Sequence, residues 1–165
     1  MSANTKTILI VDDDDVISTI AELGLKRAGF NTVKCSSGMA CLESLMFYMP
    51  DLILLDVEMP IMSGIQTLEV IKSNDNLKDI PVVFMTGSTD TGTVKAAKSL
   101  GALGYVVKPF VPQAFDTVFD AYMAGQNNVE ETNMVAPEKR EKKYVEIKMP
   151  QWERLTREDA YGKKK

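Results

Sequence analysis

Four short apolar runs, each ending on a polar residue, constrain the fold of this chain more than any other feature. Ile8-Leu9-Ile10-Val11 ends on Asp12-Asp13, Leu52-Ile53-Leu54-Leu55 on Asp56, Val82-Val83-Phe84-Met85 on Thr86, and Gly104-Tyr105-Val106-Val107 on Lys108. The first three are unbroken, as in strands covered on both faces of a parallel sheet; a strand with one wet face would alternate. If all four are parallel, their C-terminal ends share one edge. That edge then carries Asp12, Asp13, Asp56, Thr86 and Lys108 together. Open α/β sheets bind ligands outside the carboxyl ends of their strands, so the runs locate a site as well as a fold.

The intervening segments have helical spacing. Ile17, Ile20, Ala21, Gly24 and Ala28 form one stripe, and Leu42, Leu45, Met46 and Met49 a second. Ile65, Leu68 and Ile71 mark a third helix, Val94, Ala97 and Leu100 a fourth, and Phe115, Val118, Phe119 and Tyr122 a fifth. With a further strand at 31–35, the strands fall near 7–12, 31–35, 52–56, 81–86 and 104–108. Gly29 and Pro50 stop the first two helices, and Pro60 and Gly64 bracket a turn into the third. The pattern is βα repeated five times, a doubly wound α/β sandwich with right-handed crossovers.

Composition narrows the chemistry. A chain of 165 residues, 45% hydrophobic and 25% charged, is enough for one domain and short for two. No apolar run approaches the roughly 18–20 residues needed to cross a bilayer, and no apolar stretch precedes the first strand, so a cytoplasmic protein without membrane attachment is expected. Cys35 and Cys41 form no metal-binding pattern and are expected as reduced, packed thiols. There is no histidine, which excludes imidazole bases, His-ligated metals and a histidine phosphodonor within the chain. Residues 1–125 carry net charge −6 and residues 126–165 carry +2. An acidic body is a poor nucleic-acid binder, and no direct nucleic-acid partner is expected.

Clustered carboxylates raise one another's pKa unless a cation neutralises them. An oxygen-only set suits a hard ion, Mg²⁺ or Mn²⁺. Asp14 and Asp15 have a simpler explanation, as N-cap and first-turn residues of the first helix. Asp12 and Asp13 do not, because they end the strand. An EF-hand fails here, since its sixth position falls on Ile17 where glycine is required. Taken singly, Asp56 could be a solvated strand end, Thr86 a helix cap and Lys108 a solvated lysine. Together they supply a carboxylate nucleophile beside a metal pair, with a hydroxyl and an ammonium for phosphoryl oxygens.

Residues 6–125 resemble the receiver domain of two-component response regulators. The resemblance rests on Ile8-Leu-Ile-Val-Asp-Asp13, Asp51-Leu-Ile-Leu-Leu-Asp-Val-Glu-Met-Pro60 with Gly64, Val82-Val-Phe-Met-Thr-Gly87 and Gly104-Tyr-Val-Val-Lys-Pro-Phe110. The spacings also agree: 43 residues from Asp13 to Asp56, 30 on to Thr86 and 22 on to Lys108. The resemblance implies a flavodoxin-like sheet of order 2-1-3-4-5. It implies Asp56 as phosphoacceptor from a histidine kinase or histidine phosphotransfer protein. Asp12 and Asp13 would hold Mg²⁺ or Mn²⁺ with Asp56 and the Glu58 backbone carbonyl. Thr86 and Lys108 would receive phosphoryl oxygens, with Thr86 and Tyr105 as switch residues and a cis bond at Lys108-Pro109. The surface of the fourth helix, fifth strand and fifth helix would then change its contacts with a downstream protein target. Glu58, two residues past Asp56, occupies a position that tunes phosphoryl lifetime; its carboxylate could pair with Lys108 or reach the metal. Gly87 replaces the commoner alanine.

Another reading is a Mg²⁺-dependent phosphohydrolase with an aspartyl-phosphate intermediate, for which Glu58 has the spacing of an acid/base. Met59-Pro60 and the Asp12-Asp13 pair fit a receiver better. A third is a scaffold that needs no phosphorylation. On the receiver reading the chain is no enzyme beyond its own phosphorylation and slow dephosphorylation. Residues 126–165 read as a linker and tail without a core of their own. Within them lie the charged Glu138-Lys-Arg-Glu-Lys-Lys143, a segment where Val145, Ile147 and Met149 alternate with Glu146 and Lys148, and a short helix carrying Trp152 and Leu155. The tail is either a solvated extension or a contact for a partner or a second copy, giving a homodimer.

Overall fold

A computed structural model describes residues 5–87 and 91–110. The strands are β1 (Thr7–Val11), β2 (Asn31–Cys35), β3 (Leu52–Asp56), β4 (Val82–Thr86) and β5 (Gly104–Val107). Between them run α1 (Asp15–Arg27), α2 (Gly38–Leu45), α3 (Gly64–Ser73) and α4 (Thr91–Ser99). The strands form one parallel sheet in the order β2-β1-β3-β4-β5. The expected fifth helix and the 126–165 tail lie outside the described residues.

The three unbroken apolar runs occupy the middle of the sheet, and their residues are buried throughout β3 and β4 and from Ile8 to Val11 in β1. Alternation along each strand divides the core in two. Leu9, Val11, Ile53, Leu55, Val82 and Phe84 face α2 and α3, while Ile8, Ile10, Leu52, Leu54, Val83 and Met85 face α1. β2 is an edge strand, and only Cys35 of its five residues is buried. Cys35 and Cys41 are both buried free thiols.

Capping fixes where α1, α2 and α3 begin on the sheet's C-terminal side. Asp14 is the N-cap of α1, its Oδ1 accepting from Val16 N at 2.8 Å and Ile17 N at 3.2 Å. Ser37 caps α2, and Ser63 with Gln66 closes a capping box on α3. Gly29 follows α1 at φ 94°, the left-handed conformation that a terminating glycine adopts without steric cost.

Two stripes differ from the sequence pattern. The buried face of α1 is Ser18, Ala21, Gly24 and Leu25, with Ile17 and Ile20 only half-buried. The helix is rotated so that Leu25, rather than Ile17, fills the layer against Ile8 and Ile10. In α2 the inward residues are Met39, Cys41, Leu42 and Leu45, and Met46 lies exposed just beyond the helix. The polar 74–79 loop also contributes a fully buried residue, Leu77, to the core.

Candidate functional site

The edge predicted from the strand ends is assembled as expected. Asp12 follows β1, Asp56 ends β3, Thr86 ends β4 and Lys108 follows β5. Asp12, Asp56 and Thr86 are all buried, whereas Asp13 is exposed at the rim. One carboxylate oxygen from each of Asp12, Asp13 and Asp56 lies within 4.8 Å of the others.

Lys108 crosses this edge. Its Nζ lies 2.7 Å from Asp12 Oδ2 and 3.2 Å from Asp56 Oδ1. Its backbone N–H donates to Thr86 O at 2.7 Å, which ties the Lys108 turn to the end of β4. The Lys108-Pro109 bond is cis. The ammonium therefore joins the two buried acids and not Glu58, whose side chain is exposed. Glu58 meets the site through its backbone, donating N–H to Asp56 Oδ1 at 3.4 Å. Tyr105 is half-buried in β5, packed against the core layer that holds Phe84.

Burial and the neighbouring Asp12 charge push the Asp56 carboxyl up to about 6, against the opposing pull of Lys108. Burial alone would lower the Lys108 ammonium, but its bond to Asp12 and the charge of Asp56 hold it above its ordinary range. The site thus keeps an under-solvated carboxylate next to a firmly charged cation. Oxygen donors of this kind, with no nitrogen or sulfur among them, fit a hard divalent ion.

The loop after β3 is shaped by two features. Gly64 N–H donates to Val57 O at 2.9 Å, and a Cβ at Gly64 would collide with Asp56 O. Only glycine lets α3 begin this close to Asp56. Ile61 has φ 70°, a left-handed conformation that a β-branched residue adopts only under strain. Nothing in the sequence marks Ile61, whereas Gly64 is legible as a turn residue. At Gly87, by contrast, a Cβ would meet none of the described residues within 4 Å.

Comparison with known proteins agrees with this geometry. The profile of the response regulator receiver domain matches residues 8–120. The DNA-binding response regulator MtrA of Mycolicibacterium smegmatis is 34% identical over 113 residues, covering 68% of this chain and 48% of that protein. The chain thus spans about half the length of such relatives. The polar-differentiation response regulator DivK of Brucella ovis is 29% identical over 115 residues, covering 69% of this chain and 94% of that protein. Among solved structures, the chemotaxis protein CheY4 of Vibrio cholerae superposes with TM-score 0.67 at 27% identity, covering 70% of this chain and 97% of that one.

Proposed function

This chain belongs to the response regulator receiver domain family, and on that premise we propose that Asp56 accepts a phosphoryl group from a partner's phosphohistidine. Receiver domains are signalling modules of two-component systems and bind Mg²⁺ at an acidic site. The observation that carries the proposal is the setting of Asp56: buried at a strand end, beside Asp12, with the Lys108 ammonium 3.2 Å away.

In the proposed transfer an Asp56 carboxylate oxygen attacks phosphorus and the phosphorus–nitrogen bond of the phosphohistidine breaks. The imidazole leaves with that electron pair, and an acyl phosphate remains on Asp56. Asp12, Asp13, Asp56 and the Glu58 carbonyl would hold Mg²⁺, or Mn²⁺ in its place, which supplies charge neutralisation for the phosphoryl oxygens. Lys108 is already charged and within reach, so it offsets the roughly −1.5 to −2 charges that phosphorylation adds. Thr86, on the next strand, donates its hydroxyl to a phosphoryl oxygen, and Tyr105 follows the space this vacates. The surface carrying α4 and β5 then presents a different face to a downstream protein. Shifting a population from 1:99 to 99:1 in this way requires about 5.5 kcal/mol of preference for the active arrangement.

The receiver unit is proposed to end near residue 125, with 126–165 as an extension rather than a second domain; the match to residues 8–120 supports that boundary. Incubation with acetyl phosphate and Mg²⁺, followed by intact-mass measurement, tests the central step. One added phosphoryl group is expected, and none on Asp56→Asn. An unmodified parent chain, or an equally modified variant, would refute the assignment.

A further inference from the structure

The open edge of the sheet and the alternating segment of the tail match in length, pattern and charge. Among the described residues β2 pairs with β1 alone. Asn31 N–H donates to Lys6 O at 2.8 Å, and Cys35 O accepts from Asp12 N at 3.1 Å. The peptide groups of Asn31, Val33 and Cys35 therefore turn toward β1. By strand alternation those of Thr32 and Lys34 point outward, the arrangement to which an added strand bonds.

The two faces of β2 are chemically distinct. Thr32 and Lys34 lie on the α1 side, where Thr32 Oγ1 donates to Glu22 at 3.1 Å and Lys34 Nζ sits 3.3 Å from Asp15. Val33 and Cys35 lie on the α2 side, with Cys35 Sγ 3.3 Å from Ser44 Oγ. Phe47 follows Ser44 by one turn, its N–H donating to Ser44 O at 3.0 Å. Since α2 runs back along β2, Val33 and Phe47 sit toward the same end of this face. They are 38% and 71% exposed, so among the described residues the edge carries apolar surface beside peptide groups with no strand partner.

We propose that residues 145–149 of the same chain add to β2 as an antiparallel sixth strand, with Ile147 opposite Val33. This register places Val145, Ile147 and Met149 on the α2 side. It sets Glu146 opposite Lys34, and Lys148 opposite Thr32 and near Glu22. A parallel addition would instead put Lys148 beside Lys34. Pro150 then falls opposite Phe30, whose N–H is already taken by Leu25 O at 3.0 Å. A residue without its own N–H ends the ladder there. The other edge strand, β5, carries Tyr105 and Val107 but no charged residue, whereas β2 carries Lys34 to face Glu146.

Reach is no obstacle. With the receiver unit ending near residue 125, the 19 residues from 126 to 144 can extend over roughly 60 Å, while a domain of about 100 residues has a radius of gyration near ~13 Å. The net +2 of residues 126–165 is also drawn toward the −6 body.

Hydrogen exchange on the full-length chain tests it. In the parent, the outward amides of Thr32 and Lys34 are expected to exchange at least about tenfold more slowly than in Ile147→Asp, independently of protein concentration. Equal exchange in the two chains overturns the proposal, and protection that grows with concentration assigns the edge to a second copy instead. A second experiment uses geometry. Ile147 and Val33 form a non-hydrogen-bonded pair with Cα atoms about 4.5 Å apart, inside the disulfide range. The Val33→Cys/Ile147→Cys chain is therefore expected to close an intramolecular disulfide on mild oxidation. An intermolecular disulfide, or none, overturns the proposal.

Discussion

Lys108 and Asp12 form a 2.7 Å ion pair across 96 residues of sequence, from the end of β5 to the end of β1. In the sheet β3 and β4 lie between those strands. The pair therefore depends on the whole central sheet being in place, and it joins Asp56 to the same cation.

Lys108→Ala should destabilise the protein by leaving two buried acids facing each other. Breaking such a pair from one side costs on the order of 3 kcal/mol. Thermal unfolding in chelator should show that loss. Added Mg²⁺ should raise the variant's melting temperature more than the parent's, since no ammonium then competes for Asp12 and Asp56. An equal Mg²⁺ response in both chains would contradict this account.

Asp56→Asn should change how stability depends on pH. The Asp56 carboxyl is raised from 3.8 to about 6, so the folded state holds its proton more tightly than the unfolded state. Its stabilising contribution is therefore full below pH 4 and is lost as pH rises through 6. In metal-free buffer the variant should be more stable than the parent at pH 8, by about 3 kcal/mol. The advantage should vanish by pH 4. Denaturant unfolding across that range checks the sign.

Gly64→Ala and Gly87→Ala should behave oppositely. A Cβ at Gly64 would collide with Asp56 O, and the clash is with backbone that cannot move without shifting the loop after Asp56. A loss of about 3 kcal/mol and slower acetyl-phosphate labelling are expected. At Gly87 a Cβ meets none of the described residues within 4 Å, so stability should change by less than about 0.5 kcal/mol.

Glu58→Asn should shorten the life of the proposed phosphoaspartate. Glu58 is exposed beside the site and attached by its backbone to Asp56 Oδ1. Its carboxylate would occlude the approach of water and add negative charge beside an already anionic phosphoryl group. Loss of label from phosphorylated protein, followed over time, should be several-fold faster in the variant. An unchanged rate would remove Glu58 from that role.

The sequence alone determined the order of strand ends and hence the site. Three unbroken apolar runs, alternating with segments of helical spacing, are the pattern of strands covered on both faces of a parallel sheet with helices on each side. Once that is settled, Asp12, Asp56, Thr86 and Lys108 must share an edge. Asp14 as an N-cap was legible too, because capping is a local interaction between a side chain and amides two or three residues on. The tertiary structure decided the rest. Periodicity placed Ile17 and Ile20 inward on α1, but the fit against Ile8 and Ile10 rotated Leu25 into that layer. The strained Ile61 carries no local signature, because its φ is imposed by the path from β3 into α3. Lys108 could have paired with Glu58 by sequence. It joins Asp12 and Asp56 instead, because those carboxylates are buried and Glu58 is solvated, and the gain from neutralising a buried charge far exceeds that from pairing an exposed one.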